Sequence, residues 1–581
     1  MKRNYVGTTI SGVLRKSPGA NLILLASIAG VVVASLLPPI ILKRIIDVNL
    51  AGRTAEGLPL AAAAYLGAVF FAGLFEFLKE ATLTVLGQRI TRDIRSGMMR
   101  KLGRLPASYF SKNDTGATVS RLTNDVDAIN SMFTGGVIGM IVDCFKIIGI
   151  VASIWIFNAN LGMLTLAALP VIALITRFFQ RRMLGAQVSN RTQTAALNSH
   201  ISESVRNVKT IKVFHRERYM EGRYRDKLDE NFRTVEKINF YDAIFPCVIQ
   251  IARSLIIAAV VVLASKEIHF LGITAGMIAA SIEFVSNLFD PVENIGMEFQ
   301  SVQEAVAGIR RVNEFVSEKE DNAKDETLTA ENIVGADGNV RIAFNGLSFS
   351  YGEGADVLAD ITIQIRAREK VSFTGRTGVG KTTLFRLVMG LLKPTKGSVT
   401  LNGVDAYAIP NVEKKKLFGY VDQGFAMIDG TVAEQISLKD ESISREAIER
   451  AVALVGLHDY VAGLDKGYDT TVRGEALFSQ GQRQLLAIAR AIVLDPPILL
   501  LDEMTANLDS ITEEKVVAAL ERAGESRTIL AISHRPSSMI ASDTVVILEN
   551  GQVRDAGTPE ELSVRDEWYR NYIQFGACAW R

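Results

Sequence analysis

Six apolar stretches constrain this chain more than anything else in it; they lie at approximately 21–42, 60–78, 135–157, 161–179, 244–264 and 270–289. A helix that crosses a bilayer needs roughly 20 mostly apolar residues. Several of the runs carry a charge, so any one alone would equally suit a buried core helix. Six of them in one half of a chain do not, and they are read as membrane helices. The first half, 1–316, is therefore expected to be an all-α membrane domain of six spans.

The charges between the runs set an orientation, because basic residues collect on the cytoplasmic side. The stretch from Lys79 to Arg121 holds Arg89, Arg92, Arg95, Arg100, Lys101, Arg104 and Lys112. The stretch from Arg177 to Lys237 is similarly rich, with Arg181, Arg182, Arg206, Lys209, Lys212 and Arg216. The connection at Asn158–Asn160 has no basic residue and the one near Lys266 has one. Both basic segments are expected in the cytoplasm, and with six spans so are both chain ends. The first outer loop, with Lys43, Arg44 and Arg53, fits less well. The basic N-terminus (Lys2, Arg3, Arg15, Lys16) precedes a run too long for a signal-peptide core and without a clear cleavage site, so it is read as a retained helix. The two cytoplasmic segments have few Pro or Gly and frequent i, i+4 charge pairs. They are expected to extend the membrane helices, each pair ending in a turn near Ser111–Gly116 or Asn207–Phe214.

Composition excludes some functions. With 64 basic against 63 acidic residues, no bulk positive field is available for nucleic acid. The apolar fraction of 48% and mean hydropathy of +0.20 are high beside 22% charged residues, an average that hides the difference between the two halves. Cys144, Cys247 and Cys578 form neither a metal spacing nor a disulfide framework, and no Cys precedes Cys144, which argues against an N-terminal cysteine-peptidase domain. Residues 317–340 are polar and acidic with no apolar period and read as an exposed linker to a second domain, 341–575.

In that domain Val371–Phe373 is a short apolar run leading into Gly375-x-x-x-x-Gly380-Lys381-Thr382 and then a helical segment. This is a phosphate-binding loop in its strand–loop–helix context. The glycines let backbone N–H groups approach phosphates, and the helix N-terminus favours negative charge. Lys381 is placed for the β- and γ-phosphates and the Thr382 hydroxyl for magnesium. Further on, Ile498–Leu501 fits a buried strand of a parallel sheet, ending in Asp502 and Glu503. Asp502 suits a magnesium role and Glu503 a general base for water. The expected fold is an α/β P-loop NTPase domain behind the helical membrane domain.

The order of motifs resembles that of ATP-binding cassette (ABC) transporters. Phe478-Ser479-Gln480-Gly481-Gln482 is similar to the family signature Leu-Ser-Gly-Gly-Gln, with Phe478 and Gln480 as departures. Gln423 falls where the family's glutamine loop lies, and Tyr351 matches the aromatic residue that stacks on adenine. Ala506-Asn507-Leu508-Asp509 matches the loop after the second acidic motif, where Ser-Ala-Leu-Asp is commoner. Ser533-His534-Arg535 carries the switch histidine. Six spans followed by one nucleotide domain is the half-transporter layout of the exporter branch, and SYFSKNDTGATVSRLTNDVD and FDPVENIG also resemble that branch.

The resemblance implies ATP and Mg2+, with Tyr351, the loop residues Gly375, Arg376, Thr377, Gly378, Val379, Gly380, Lys381, Thr382 and Thr383, and Ser479, Gln480, Gly481 and Gln482 around the nucleotide. It places Thr382, Gln423 and Asp502 at the metal, and Glu503, His534 and Gln423 in catalysis. Because each ATP lies between one copy's loop and the other's signature, it implies a second half-transporter; homodimer and heterodimer both stay open. The substrate class implied is a hydrophobic or amphipathic drug, lipid or peptide, moved out of the cytoplasm across the cell membrane. An importer on the same fold and an ATP-gated channel or sensor are the alternatives, while a soluble cassette ATPase is excluded by the six spans. Glu76, Asp143, Lys146, Arg253 and Glu283 are charges within or near apolar runs, and Arg253 and Glu283 are the candidates for a substrate pathway. Asp143 and Lys146, at i, i+3, are spaced to pair with each other.

Overall fold

The computed structural model describes residues 4–267, 274–321, 324–335, 338–352, 354–422, 424–472, 477–502, 510–533, 539 and 541–578. The chain divides into two compact units, Met1–Gly103 with Asn113–Glu318, and Arg104–Lys112 with Lys319–Arg581.

Among the described residues of the first unit, five helical segments are long and apolar enough to cross a membrane: Pro18–Leu50, Leu58–Leu102, Thr115–Phe157, Ala159–Arg206 and Glu217–Leu263. The sixth expected run, 270–289, starts outside the described residues. From Ala275 it forms a 43-residue helix to Ser317, with Glu283, Asp290 and Glu293 among its apolar residues. At 1.5 Å per residue, the helices Leu58–Leu102, Ala159–Arg206 and Glu217–Glu267 are each roughly 70 Å long, more than twice a hydrocarbon core of about 30 Å. The expected extensions are present, and short helices, Ala107–Lys112 and Val208–Val213, stand at the two expected turns.

Local chemistry sets these boundaries. The Asn158 side chain accepts from the N–H groups of Asn160 and Leu161 at 2.8 and 3.1 Å, so one residue suffices to end one helix and start the next. Asp47 accepts from the Thr274 hydroxyl at 2.6 Å and the Gly276 N–H at 2.8 Å, placing a carboxylate at the N-terminus of Ala275–Ser317. Arg311 of that helix forks onto Asp125, with Nε at 2.8 Å and Nη2 at 2.5 Å. Ile150, Ile154, Leu161, Ile172, Phe284 and Phe289 form the buried interior. Leu60, Phe70, Phe77, Ile156, Leu174 and Leu255 face outward, as in a chain solvated by lipid rather than water.

The second unit is built on a six-stranded sheet in the spatial order Gln552–Gly557, Thr544–Glu549, Lys370–Gly375, Thr528–Ile532, Ile498–Asp502, Phe418–Val421. Only the Gln552–Gly557 edge is antiparallel. A four-stranded antiparallel sheet, Leu358–Ile365, Ile342–Phe349, Lys396–Leu401 and Val404–Asp405, completes it. Period-two alternation feeds two separate cores: Ile498 and Leu500 point into one with Phe344, Phe373 and Phe385, while Leu499 and Leu501 point into the other with Val452, Leu486 and Ile488.

The segment after Ser317 is largely exposed, as its composition suggests, but it is anchored at intervals to the second unit. Ala330, Ile333 and Val340 are buried in the first of those cores. Lys324 donates to the carbonyls of Tyr407 at 2.5 Å and Gly390 at 3.2 Å, lies 3.9 Å over the Tyr407 ring and pairs with Asp321 at 3.3 Å. The Tyr407 hydroxyl donates to Asp321 at 2.9 Å. Lys414, 7% exposed, donates to the same Gly390 carbonyl at 2.7 Å. Burial, reinforced by the Lys324 charge, pushes the Lys414 amine down to about 7. The unfolded chain therefore binds more protons than the native one between that value and the ordinary lysine range, and stability rises with pH across that window. The unfolding midpoint of the second unit is expected to climb between pH 7 and about 10 and to flatten in Lys414→Met; parallel pH profiles for the two proteins would contradict this.

Candidate functional site

In open parallel sheets, ligands bind outside the carboxyl ends of the strands. Three adjacent strands end together here, since Ile532 is in register with both Asp502 and Phe373. The first, Lys370–Gly375, turns at Gly375 (φ 143°), where a Cβ would lie 2.2 Å from the Leu548 carbonyl oxygen, so only glycine fits. The loop closes at Gly380 (φ 103°), and the helix Lys381–Val388 starts with no side-chain cap, leaving its first N–H groups to an outside acceptor. Lys381 is buried and donates to the carbonyls of Gly375 at 2.8 Å and Arg376 at 3.1 Å, so its ammonium arches back over the loop.

Tyr351 is tied to the same helix. Its hydroxyl is 3.1 Å from the Thr383 hydroxyl and accepts from Arg386 at 3.5 Å, and its ring stands edge-on to Phe349 at 4.8 Å. Asp502 ends its strand with 6% of its surface exposed. Glu503 follows it directly in the chain, His534 follows Ser533, and Gln423 follows Asp422; all three, with Asn507, lie outside the described residues.

Ser479 caps the helix Gln480–Ile492 through a capping box: its hydroxyl accepts from the Gln482 N–H at 3.2 Å, and the Gln482 side chain accepts from the Ser479 N–H at 2.9 Å. Phe478, the departure from Leu, is 3% exposed and packs 5.8 Å from the Tyr460 ring, an apolar role that either residue fills. Gly481 is buried. This helix belongs to the core of Leu486 and Ile488, the phosphate-loop helix to the core of Phe385; one chain thus carries the two motifs on different cores.

Two features were not singled out in the sequence. Arg490 donates to the carbonyls of Gln435 at 2.7 Å and Ala426 at 3.2 Å and lies 4.1 Å over Phe425, fastening the segment after Gln423 to the signature helix; burial pushes this guanidinium down to about 10. The Tyr420 hydroxyl donates to both Asp422 at 3.3 Å and Asp502 at 3.4 Å. Burial and the two carboxylates push this phenol well above the ordinary tyrosine range, so it remains a donor at neutral pH. Neither residue belongs to a short spacing motif, and only the fold brings them to the site.

The residues present fit a magnesium nucleotide. Glycines at 375 and 380, where a Cβ would collide with Leu548 and Leu358, let the turn run into a helix whose first N–H groups carry no side-chain cap, and the buried Asp502 with the Thr382 hydroxyl offers the hard oxygen donors that magnesium takes. Among the described residues, no group of three or more His, Cys, Asp or Glu is arranged for a transition metal.

The first unit holds a cavity of about 1100 Å³ between Ala159–Arg206 and Ala275–Ser317. Arg177, Arg181, Arg191, Gln180 and Gln187 line it beside Leu169, Ile295 and Phe299. The intramembrane candidates lie elsewhere. Arg253 pairs with Asp290 at 3.4 Å and covers the Phe289 ring, and Glu283 keeps one buried oxygen without a hydrogen-bond partner. Asp143 has Lys146 on its own helix and Asn294 on Ala275–Ser317 as partners.

Gly375→Ala is expected to destabilise the second unit by about 2 kcal/mol or more and to abolish nucleotide binding, measured by thermal unfolding with and without ATP. An alanine variant with the wild-type ATP-induced shift would contradict the close-approach argument.

Comparison with known proteins accords with this geometry. Residues 21–292 match the ABC transporter transmembrane region and residues 358–506 the ABC transporter nucleotide domain. The chain is 30% identical over 523 residues to exp8 of Streptococcus pneumoniae, a protein named for an ABC transporter ATP-binding role, covering 89% of this chain and 88% of that one. It is 28% identical over 553 residues to the ATP-dependent lipid A-core flippase of Syntrophus aciditrophicus, covering 94% and 90%. The fold is shared with a bacterial Atm1-family ABC exporter solved with ATP bound, at a TM-score of 0.77, 23% identity, and coverage of 97% and 98%. Membrane half and nucleotide half alike, this chain belongs to the ABC transporter family.

Proposed function

We propose that the chain is one half of an exporter that uses ATP hydrolysis to move a hydrophobic or amphipathic substrate, such as a drug, lipid or peptide, out of the cytoplasm. The membrane domain is 1–316, the connection 317–340 and the nucleotide domain 341–575, with both termini and the nucleotide domain cytoplasmic. The observation that carries this reading is the glycine-walled phosphate cradle beside the buried Asp502, in one chain with six membrane-length helices.

In this reading the N–H groups of Arg376–Thr383 and the Lys381 ammonium hold the β- and γ-phosphates, and Tyr351 stacks on the adenine. Thr382, Asp502 and Gln423 hold magnesium, which when bound neutralises charge on the transferred phosphate. Glu503 takes the proton of the attacking water, and His534 steadies the γ-phosphate side of the site. Ser479, Gln480, Gly481 and Gln482 act on the nucleotide of a second half-transporter, identical or different, because cradle and signature lie on separate cores of one chain. Contacts made only in the joined state give the nucleotide its differential affinity, which a ligand-driven change requires.

The cavity supports the substrate class. Arg191 is paired with Glu304 of the same lining at 3.3 Å, but the apolar wall with Arg177 and Arg181 suits an amphiphile bearing an anionic group, and the flippase relative is named for a lipid. The test is uptake of a fluorescent anionic lipid analogue into inside-out vesicles. Wild type is expected to accumulate it only with Mg2+ and ATP, while Glu503→Gln and Lys381→Ala lose at least about a hundredfold of both hydrolysis and uptake. Hydrolysis by Glu503→Gln at the wild-type rate would overturn the base assignment. Uptake without ATP would overturn the pump.

A further inference from the structure

We infer that Tyr420 is a positioning residue for the metal-holding carboxylate: its phenol steers Asp502 and is passed to Asp422 when Asp502 turns to the metal. The inference rests on the reading of Asp502 given above and adds to it a control built from two residues that no motif assigns. The strands Phe418–Val421 and Ile498–Asp502 run parallel, with Tyr420 beside Leu500 and Val421 beside Leu501. Continuing that register by one step sets Asp422 next to Asp502, so two carboxylates, one of them buried, meet at the strand ends. Like charges at such separation repel, and a donor between them offsets the cost.

The phenol is that donor. It has one proton, and its oxygen stands 3.3 Å from one carboxylate and 3.4 Å from the other. Two long, nearly equal distances mark a three-centre bond rather than a commitment to either acid. A hydroxyl shared in this way restricts the Asp502 carboxylate without occupying it. When a divalent ion draws Asp502, the proton still has Asp422 as acceptor, so no buried donor is stranded by metal binding. A strand carrying tyrosine without the second acid would lack this exchange.

The test uses the full chain in lipid nanodiscs and reads Mn2+ binding to the ATP-loaded protein by electron paramagnetic resonance, with ATP affinity measured separately in chelator. Tyr420→Phe is expected to weaken Mn2+ about tenfold, the usual effect of losing a partner of a metal ligand, while metal-free ATP affinity stays at the wild-type value. Asp422→Ala is expected to weaken Mn2+ as well, about tenfold, since the phenol's proton then has no second acceptor once the ion draws Asp502. Unchanged Mn2+ affinity in Tyr420→Phe overturns the inference, as does wild-type Mn2+ affinity in Asp422→Ala. Asp502→Asn separates the two levels. If it binds Mn2+ like wild type, the metal role of Asp502 fails and this inference with it. If it loses Mn2+ while Tyr420→Phe does not, only the role of the phenol falls.

Discussion

The nucleotide half depends on one close approach, that of bare backbone at Gly375 to the strand beside it. A Cβ at Gly375 would collide with Leu548, a residue of the neighbouring strand rather than of the loop, so the cradle's shape is fixed by the sheet. The same sheet sets Asp502 at the end of the next strand but one and Tyr420 on the strand beyond it. Strand register thus sets the phosphate loop, Asp502 and Tyr420 at the same ends of one sheet.

Two cores in one nucleotide domain give the arrangement its mechanical sense. The cradle belongs to one and the signature helix to the other, and the strands Ile498–Asp502 and Phe418–Val421 contribute to both by alternation. Arg490 fastens the segment after Gln423 to the signature helix by hydrogen bonds and a cation–π contact. The described residues that follow Gln423 are thus held rigidly to the signature helix within the domain. In the membrane half, helices of 45–51 residues are rods long enough to reach well past a bilayer.

Legibility in the sequence followed the chemistry. The phosphate loop could be read because backbone approach demands glycine at fixed spacing, and the membrane helices because a bilayer demands long apolar runs. The turns at Ala107–Lys112 and Val208–Val213 could be read because charge pairing ran up to them. The exposure of 317–340 could be read from its polar composition, but its anchors could not, because Lys324 and Asp321 are polar and its few buried apolar residues follow no period. Asp143 keeps Lys146 of its own helix as one partner, but its second, Asn294, comes from a distant helix that spacing does not show. Tyr420 and Arg490 were invisible for the same reason: an aromatic on a strand and an arginine on a helix acquire their partners only from tertiary structure.

The central claim is that nucleotide draws two nucleotide domains together and so reshapes the helices in the bilayer. The most direct measurement places a spin label at the exposed Val564 in a background with the native cysteines replaced, and reads the distance between the two copies, or between this chain and its partner half, by pulsed electron resonance in nanodiscs. Addition of Mg2+ and ATP to the Glu503→Gln protein is expected to collapse a broad distribution to one short distance. A distribution unmoved by nucleotide, with ATP bound, would contradict the account.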